Sequence, residues 1–208
     1  MHYISGDIEG CSGFGCEDGA NGGILQAHLA AVVEGMRDAG EDAIRLRTWH
    51  GRPELPDCVE IVHSDRTEDF DLPGLTSECA GLAMIGFHGL WPDHAFGHSY
   101  RFPYMLLNDR KIGEIAIQVL LAATRGVPTV LLAGSAGAVD EVKPWAPDAL
   151  TVTTRPGKAG DEGPMDARVL DVIRRGAAEV VRRKGQIAVP TIPERFVFEV
   201  PFREMRAA

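Results

Sequence analysis

A chain of 208 residues with 45% hydrophobic and 25% charged residues has the composition of a folded globular protein, not of a disordered or fibrous one, and is long enough to bury a core without staples. Its formal net charge of −9 lacks the basic footprint that a phosphate backbone requires, so no nucleic-acid partner is expected. The apolar runs are too short to cross a bilayer, so no membrane partner is expected. The N-terminus shows no basic stretch followed by an apolar region, which makes the cytoplasm the expected address. Cys11, Cys16, Cys58 and Cys79 have no C-x-x-C spacing and read as free thiols in that compartment, with Cys11 and Cys16 closest to the candidate site.

In chain order, residues 2–8 read as a strand, and Gly22 to Ala39 carries Ile24, Leu25, Leu29, Val32, Val33 and Met36 at helical period, with Gly40 as its stop. Residues 42–48 alternate as a half-buried strand does and run into Trp49-His50-Gly51. Residues 52–80 read as surface connection with a short strand at Val59 to Val62. The apolar run 81–88 ends on His88 and predicts a strand buried on both faces, followed by a Gly-, Pro- and His-rich loop to Ser99. A short strand at 102–108, a turn at Asn108-Asp109-Arg110 and a helix from Ile112 to Thr124 come next. Then follow a strand from Pro128 to Ala133, a short helix at 138–142, an edge strand from Leu150 to Thr154, an amphipathic helix over 164–184 and a last strand at 196–200. Arg174, Arg175, Arg182, Arg183 and Lys184 belong to the solvated face and end of that helix. No internal repeat or linker divides the chain, so one domain over 1–208 is expected. The pattern predicts an α/β fold, a mainly parallel central sheet with helices on both faces in a three-layer sandwich.

Ligands of such sheets sit beyond the carboxyl ends of the strands. Asp7, Glu9, His50 and His88 fall at those ends, and Glu114 opens a helix, so imidazoles and carboxylates, the ligand types of zinc and similar ions, converge on one rim. If residues 7–9 are extended, alternation places Asp7 and Glu9 on one face. Two such carboxylates repel each other unless a cation or a proton resolves the cost. A solvated strand end accounts for the pair taken alone, and a satisfied core histidine accounts for His50 or His88 taken alone; the case rests on their convergence. In the loop after His88, His94 and His98 are placed to act as an acid or base, although a surface position is enough to explain His94. Gly10-Cys11-Ser12-Gly13-Phe14-Gly15 does not match a phosphate-binding turn in register, and neither G-x-S-x-G nor H-E-x-x-H is present.

Taken together, Asp7-Ile8-Glu9-Gly10-Cys11-Ser12-Gly13, Gly86-Phe87-His88, Gly97-His98-Ser99 and Asn108-Asp109-Arg110-Lys111-Ile112-Gly113-Glu114 resemble the zinc D-aminopeptidase family over roughly residues 1–135. The resemblance implies two zinc ions per chain, with Asp7 bridging them, Glu9 and His88 completing one site and His50 and Glu114 the other. Manganese or iron suits the same ligand types. It implies that His98 is catalytic, that the substrate is a short peptide or similar small amide with a preference for D-residues, and that the chain forms a homo-oligomer, in the family a ring. In the mechanism expected, metal lowers the pKa of a bound water and polarises the substrate carbonyl, and His98 stabilises the oxyanion or carries a proton to the leaving amine. The chain departs from the family in having Arg47-Thr48-Trp49 before His50, and in being shorter between the second and central strands and in the C-terminal region. Two other readings stay open: a repurposed hydrolase acting on a non-peptide or specialised-metabolite amide, and a non-catalytic metal- or small-molecule-binding homologue.

Overall fold

The computed structural model describes residues 1–15, 21–62, 72–90, 105–155 and 164–200, and its main sheet grows outward from its most apolar strands. Strands β1 (His2–Gly6), β4 (Leu82–Phe87) and β7 (Thr129–Ser135) are buried along their whole length, which suits nearly continuous apolar runs covered on both faces. With β2 (Ile44–Thr48), β3 (Val59–Ile61) and β8 (Leu150–Arg155) they form a six-stranded sheet in the order β3-β2-β1-β4-β7-β8. Every pairing in it is parallel.

Helices α1 (Asn21–Asp38) and α4 (Ala167–Arg182) cover one face. There Leu25, Leu29, Val32, Val33 and Met36 of α1 and Ile173, Ala177 and Val180 of α4 pack with Ile4, Ile44, Ile85 and Leu131 of the sheet. Helices α2 (Glu114–Thr124) and α3 (Ala136–Val142) cover the other, where Ile115, Val119, Ala138 and Val142 meet Tyr3, Met84, Phe87 and Leu132. This is the three-layer arrangement that the alternating pattern predicts. No helix among the described residues is long and apolar enough to cross a membrane.

Three expectations change. The first strand ends at Gly6, so Asp7 to Gly10 leave the sheet as a turn closed by Cys11 N–H donating to the Ile8 carbonyl (2.9 Å); Asp7 and Glu9 therefore do not share a face by strand alternation. Ile112 belongs to a strand and not to α2. Asn108 and Asp109, with φ of 49° and 63°, make a two-residue hairpin turn between β5 (Met105–Leu107) and β6 (Arg110–Ile112), a conformation that Asn and Asp tolerate better than most residues. Finally, the last strand is only β9 (Phe198–Glu199), and it joins β5 in a separate antiparallel sheet of order β6-β5-β9. The Asn108 side chain secures this sheet by accepting from Val197 N–H (2.8 Å) and donating to the Arg195 carbonyl (2.9 Å). The loop expected after His88 lies outside the described residues from position 91 on, as does the start of the strand expected at 102–108.

The connections from β1 and β4, adjacent in the sheet, lead to opposite sides of it, β1 toward β2 and β4 toward β7. Such a reversal opens a crevice at the carboxyl ends. Asp7 and His88 directly follow these two strands.

Candidate metal centre

The backbone around Asp7 is held from several sides. Asp7 N–H donates to the Ile85 carbonyl (2.8 Å) and Gly10 N–H to the Gly86 carbonyl (2.7 Å), so the turn after β1 lies directly against the end of β4. Only glycine allows this approach: a Cβ on Gly86, whose φ is +77°, would overlap the Asp7 carbonyl, and one on Gly10 would overlap the Phe87 carbonyl. From β8, Thr154 Oγ1 donates to the Gly10 carbonyl and Arg155 to the Glu9 carbonyl (3.1 Å). From α1, His28 Nδ1 donates to the Ile24 carbonyl (2.9 Å), which leaves Nε2 to accept from Ser12 N–H (3.1 Å).

On this frame the five expected residues come together. Ligand atoms of Asp7, Glu9 and His50 lie within 4.8 Å of one another, and so do those of Asp7, His88 and Glu114. Asp7 is the shared member, as the resemblance implies, but Glu9 sits with His50 and Glu114 with His88, a different division from the implied one. His50 Nε2 is 3.0 Å from Asp7 Oδ1 and 3.4 Å from Glu9 Oε2. The Thr48 hydroxyl sets the turn that presents His50, accepting from its N–H and donating to its carbonyl at 3.1 Å each. His88 Nδ1 donates to the Gly89 carbonyl (2.9 Å), and its Nε2 lies 4.0 Å from Asp7 Oδ2. A histidine anchored through one nitrogen presents the other as a ligand.

The donor set fits a divalent cation. Asp7 is 3% exposed, and its Oδ2 has no hydrogen-bond partner among the described residues, a costly condition for a buried carboxylate. Burial pushes the Asp7 carboxyl well above the usual range, and the neighbouring Glu9 and Glu114 add to this against the His50 hydrogen bond. At Glu9 burial also acts upward, but hydrogen bonds with His50 and Asp7 outweigh it and hold the carboxyl low. Hydrogen bonds to Asp7 and Glu9 raise His50 to about 10. Without metal, the proton that His50 retains supplies cationic charge beside the two carboxylates.

A pH dependence follows. Because the folded pKa of His50 lies above its ordinary value of 6.5, its contribution to metal-free stability is complete below pH 6.5 and is lost as pH rises toward 10. A cation has to displace that proton, so apparent zinc affinity is expected to rise about tenfold per pH unit over this range. Competition with a zinc chelator between pH 6.5 and 8.5 measures the slope, and a flat profile would contradict this account.

A cleft of about 900 Å³ opens beside Glu9 and His50, with Ile8, Phe14, Leu25 and Trp49 on its apolar walls. The buried Arg47 guanidinium lies 3.0 Å from the Trp49 ring centroid, a cation–π contact that fixes the indole. The Gln26 amide of α1 bonds both the carbonyl (2.6 Å) and the N–H (2.8 Å) of Glu54, tying the far wall to the helix. The run Arg47-Thr48-Trp49 that sets this chain apart by sequence therefore builds one side of the cleft.

Cys11 is buried behind Asp7, with its thiol donating to the Asp7 carbonyl at 3.6 Å, and is not among the clustered ligand atoms. Cys16, His94 and His98 lie outside the described residues. Three supporting residues escape a reading of the sequence: His28, Thr154 and Arg155. They act through the backbone from elements distant in the chain, and only the Asp166 N–H donating to Ser12 Oγ (3.1 Å) and similar tertiary contacts reveal how closely α4, β8 and the first turn approach.

A family model described as D-aminopeptidase, peptidase family M55, matches residues 1–208. No curated protein sequence matches the chain. Among solved structures, the zinc-dependent D-aminopeptidase DppA from Bacillus subtilis, described as a self-compartmentalizing protease, superposes with a TM-score of 0.81 at 18% sequence identity, covering 97% of this chain and 81% of that one. At that identity the superposition establishes the shared α/β fold, and the match along all 208 residues establishes the family. The chain belongs to the D-aminopeptidase family of peptidases.

Proposed function

We propose that the chain is a zinc-dependent aminopeptidase that cleaves short peptides, including those with D-residues, at a dinuclear centre held by Asp7, Glu9, His50, His88 and Glu114. The observation that carries this reading is that Asp7, buried and with an oxygen lacking a hydrogen-bond partner among the described residues, belongs to two three-residue groups of ligand-type side chains. One ion would rest on Asp7, Glu9 and His50, the other on Asp7, His88 and Glu114. Family membership supports the reaction class, and the zinc dependence of the DppA neighbour supports the metal. Bound there, zinc supplies Lewis acidity toward a carbonyl and hydroxide at neutral pH.

The chain's own residues do the rest. The Gly89 carbonyl holds the His88 imidazole in one tautomer, and the Arg47–Trp49 stack keeps one wall of the cleft in place to receive an apolar side chain of the substrate. His98 is the proposed proton carrier to the leaving amine, a role resting on the Gly97-His98-Ser99 resemblance. The reading extends to one domain over 1–208, a cytoplasmic address and a homo-oligomer; self-compartmentalization in DppA supports the last.

Elemental analysis of the wild type beside His50→Ala, with hydrolysis of D- and L-alanyl dipeptides before and after chelation, tests the proposal. About two zinc ions per chain, falling to about one in the variant, with chelator-sensitive release of the N-terminal residue, is the expected result. Neither bound metal nor peptide turnover would overturn it, and turnover confined to non-peptide amides would replace the substrate assignment.

A further inference from the structure

Helix α2 begins at Glu114, one of the proposed ligands, and its cap position is Gly113, which has no side chain with which to satisfy the helix's first N–H groups. Those groups carry the positive end of the helix dipole and need an acceptor when buried. The acceptor comes from another helix. Glu141 of α3 is buried, 8% exposed, and its Oε1 accepts from Gly113 N–H at 2.9 Å and from Ala116 N–H at 3.4 Å. These two amides stand on either side of Glu114. The packing is close: a Cβ on Gly113 would lie 2.9 Å from Glu141 Oε1, 3.1 Å from Oε2 and 3.0 Å from Leu90 Cδ2, and Leu90 follows His88 by two residues. The same carboxylate thus bears on the backbone that presents Glu114 and lies near the segment that follows His88.

We propose that Glu141 is a positioning residue for one half of the metal centre, holding the start of α2 so that Glu114 meets Asp7 and His88, and that it sets the affinity of the ion on that side only. This rests on the dinuclear reading given above. Among the described residues the hydrogen bonds of Glu141 run to Gly113 and Ala116, on the Glu114 side of the centre. Partners that orient a metal ligand from behind commonly alter affinity 10- to 100-fold, roughly, when removed.

The test is a zinc titration of the full chain against a competing chelator, in wild type, Glu141→Ala, Glu141→Gln and Gly113→Ala, with thermal unfolding of the metal-free proteins alongside. In Glu141→Ala one of two ions is expected to weaken by about 10- to 100-fold while the other is unchanged. Glu141→Gln keeps an oxygen that can accept the Gly113 N–H, so it should restore most of that affinity. Adding Glu141→Ala to Glu114→Gln should change zinc binding no further, because the affected ion is already lost. If Glu141→Ala fails to fold, Gly113→Ala carries the test, since its methyl displaces the carboxylate and should weaken the same ion.

A Glu141→Ala protein that binds both ions as the wild type does, with only a lower Tm, would overturn the inference and reduce Glu141 to a helix cap. Equal weakening of both ions would overturn it too. Either result in a wild type that holds two ions leaves the metal-centre reading standing. A wild type that binds no zinc removes that reading and this inference together.

Discussion

Asp7→Asn is expected to lose both zinc ions, whereas Glu114→Gln loses one. Asp7 is the one residue common to the two ligand groups, and an amide of the same shape has a single weak acceptor oxygen in place of a charged pair. The metal-free variant should still fold, because burial already disfavours the charged form of this side chain. The contrast is then legible in stability. Saturating the wild type with zinc at roughly 1,000 times Kd adds about 4 kcal/mol per ion, about 8 kcal/mol for two, which for a chain of this size raises Tm by about 20 °C. Asp7→Asn should show almost no rise. Its peptide hydrolysis should fall at least about a thousandfold, corresponding to about 4 kcal/mol of lost metal assistance. Two ions retained with wild-type affinity would contradict the bridging role.

His98→Ala is expected to keep both ions and their zinc-dependent rise in Tm, but to lose about 10²- to 10⁴-fold in kcat, the range for removing a general acid or base. The loss should be smaller for substrates whose leaving group needs no proton, so ester analogues with an activated phenol as leaving group discriminate proton delivery from substrate binding. Loss of metal in this variant would make His98 a ligand, and full activity would remove it from the chemistry.

Much of the architecture was legible in residue order because burial imposes periods. The run Leu82–Phe87 reads as a doubly covered strand, and Leu25, Leu29, Val32 and Met36 mark the inner face of α1; these are local consequences of the hydrophobic effect acting on a strand or helix. The small sheet was not legible. By sequence Arg110 belongs to a turn and Ile112 to the start of the following helix, until the turn at Asn108 and Asp109 is seen to fold Arg110 to Ile112 back onto Met105 to Leu107. Phe198 and Glu199 read as a strand, but nothing in their order states that β5 is the partner. Strand propensity depends on what lies across the sheet, and the partner here is some ninety residues away.

The candidate site divides in the same way. Residue types and strand-end positions alone named Asp7, Glu9, His50, His88 and Glu114, because few roles other than ligation explain so many imidazoles and carboxylates at the end of apolar strands. Which of these groups lie together was decided by the tertiary structure: Asp7 to Gly10 turn out of the sheet, placing Glu9 beside His50, while the start of α2 places Glu114 with His88. The supports of that geometry, Thr154 and Arg155 on the first turn, His28 beneath Ser12 and Glu141 at the head of α2, are likewise tertiary facts. Sequence by itself determined the residue types at the rim and the layers beneath it, since composition and period are properties of short segments. Distances between ligands depend on how separate segments pack, with backbone carbonyls and amides seeking partners across the fold, and those only the folded chain decides.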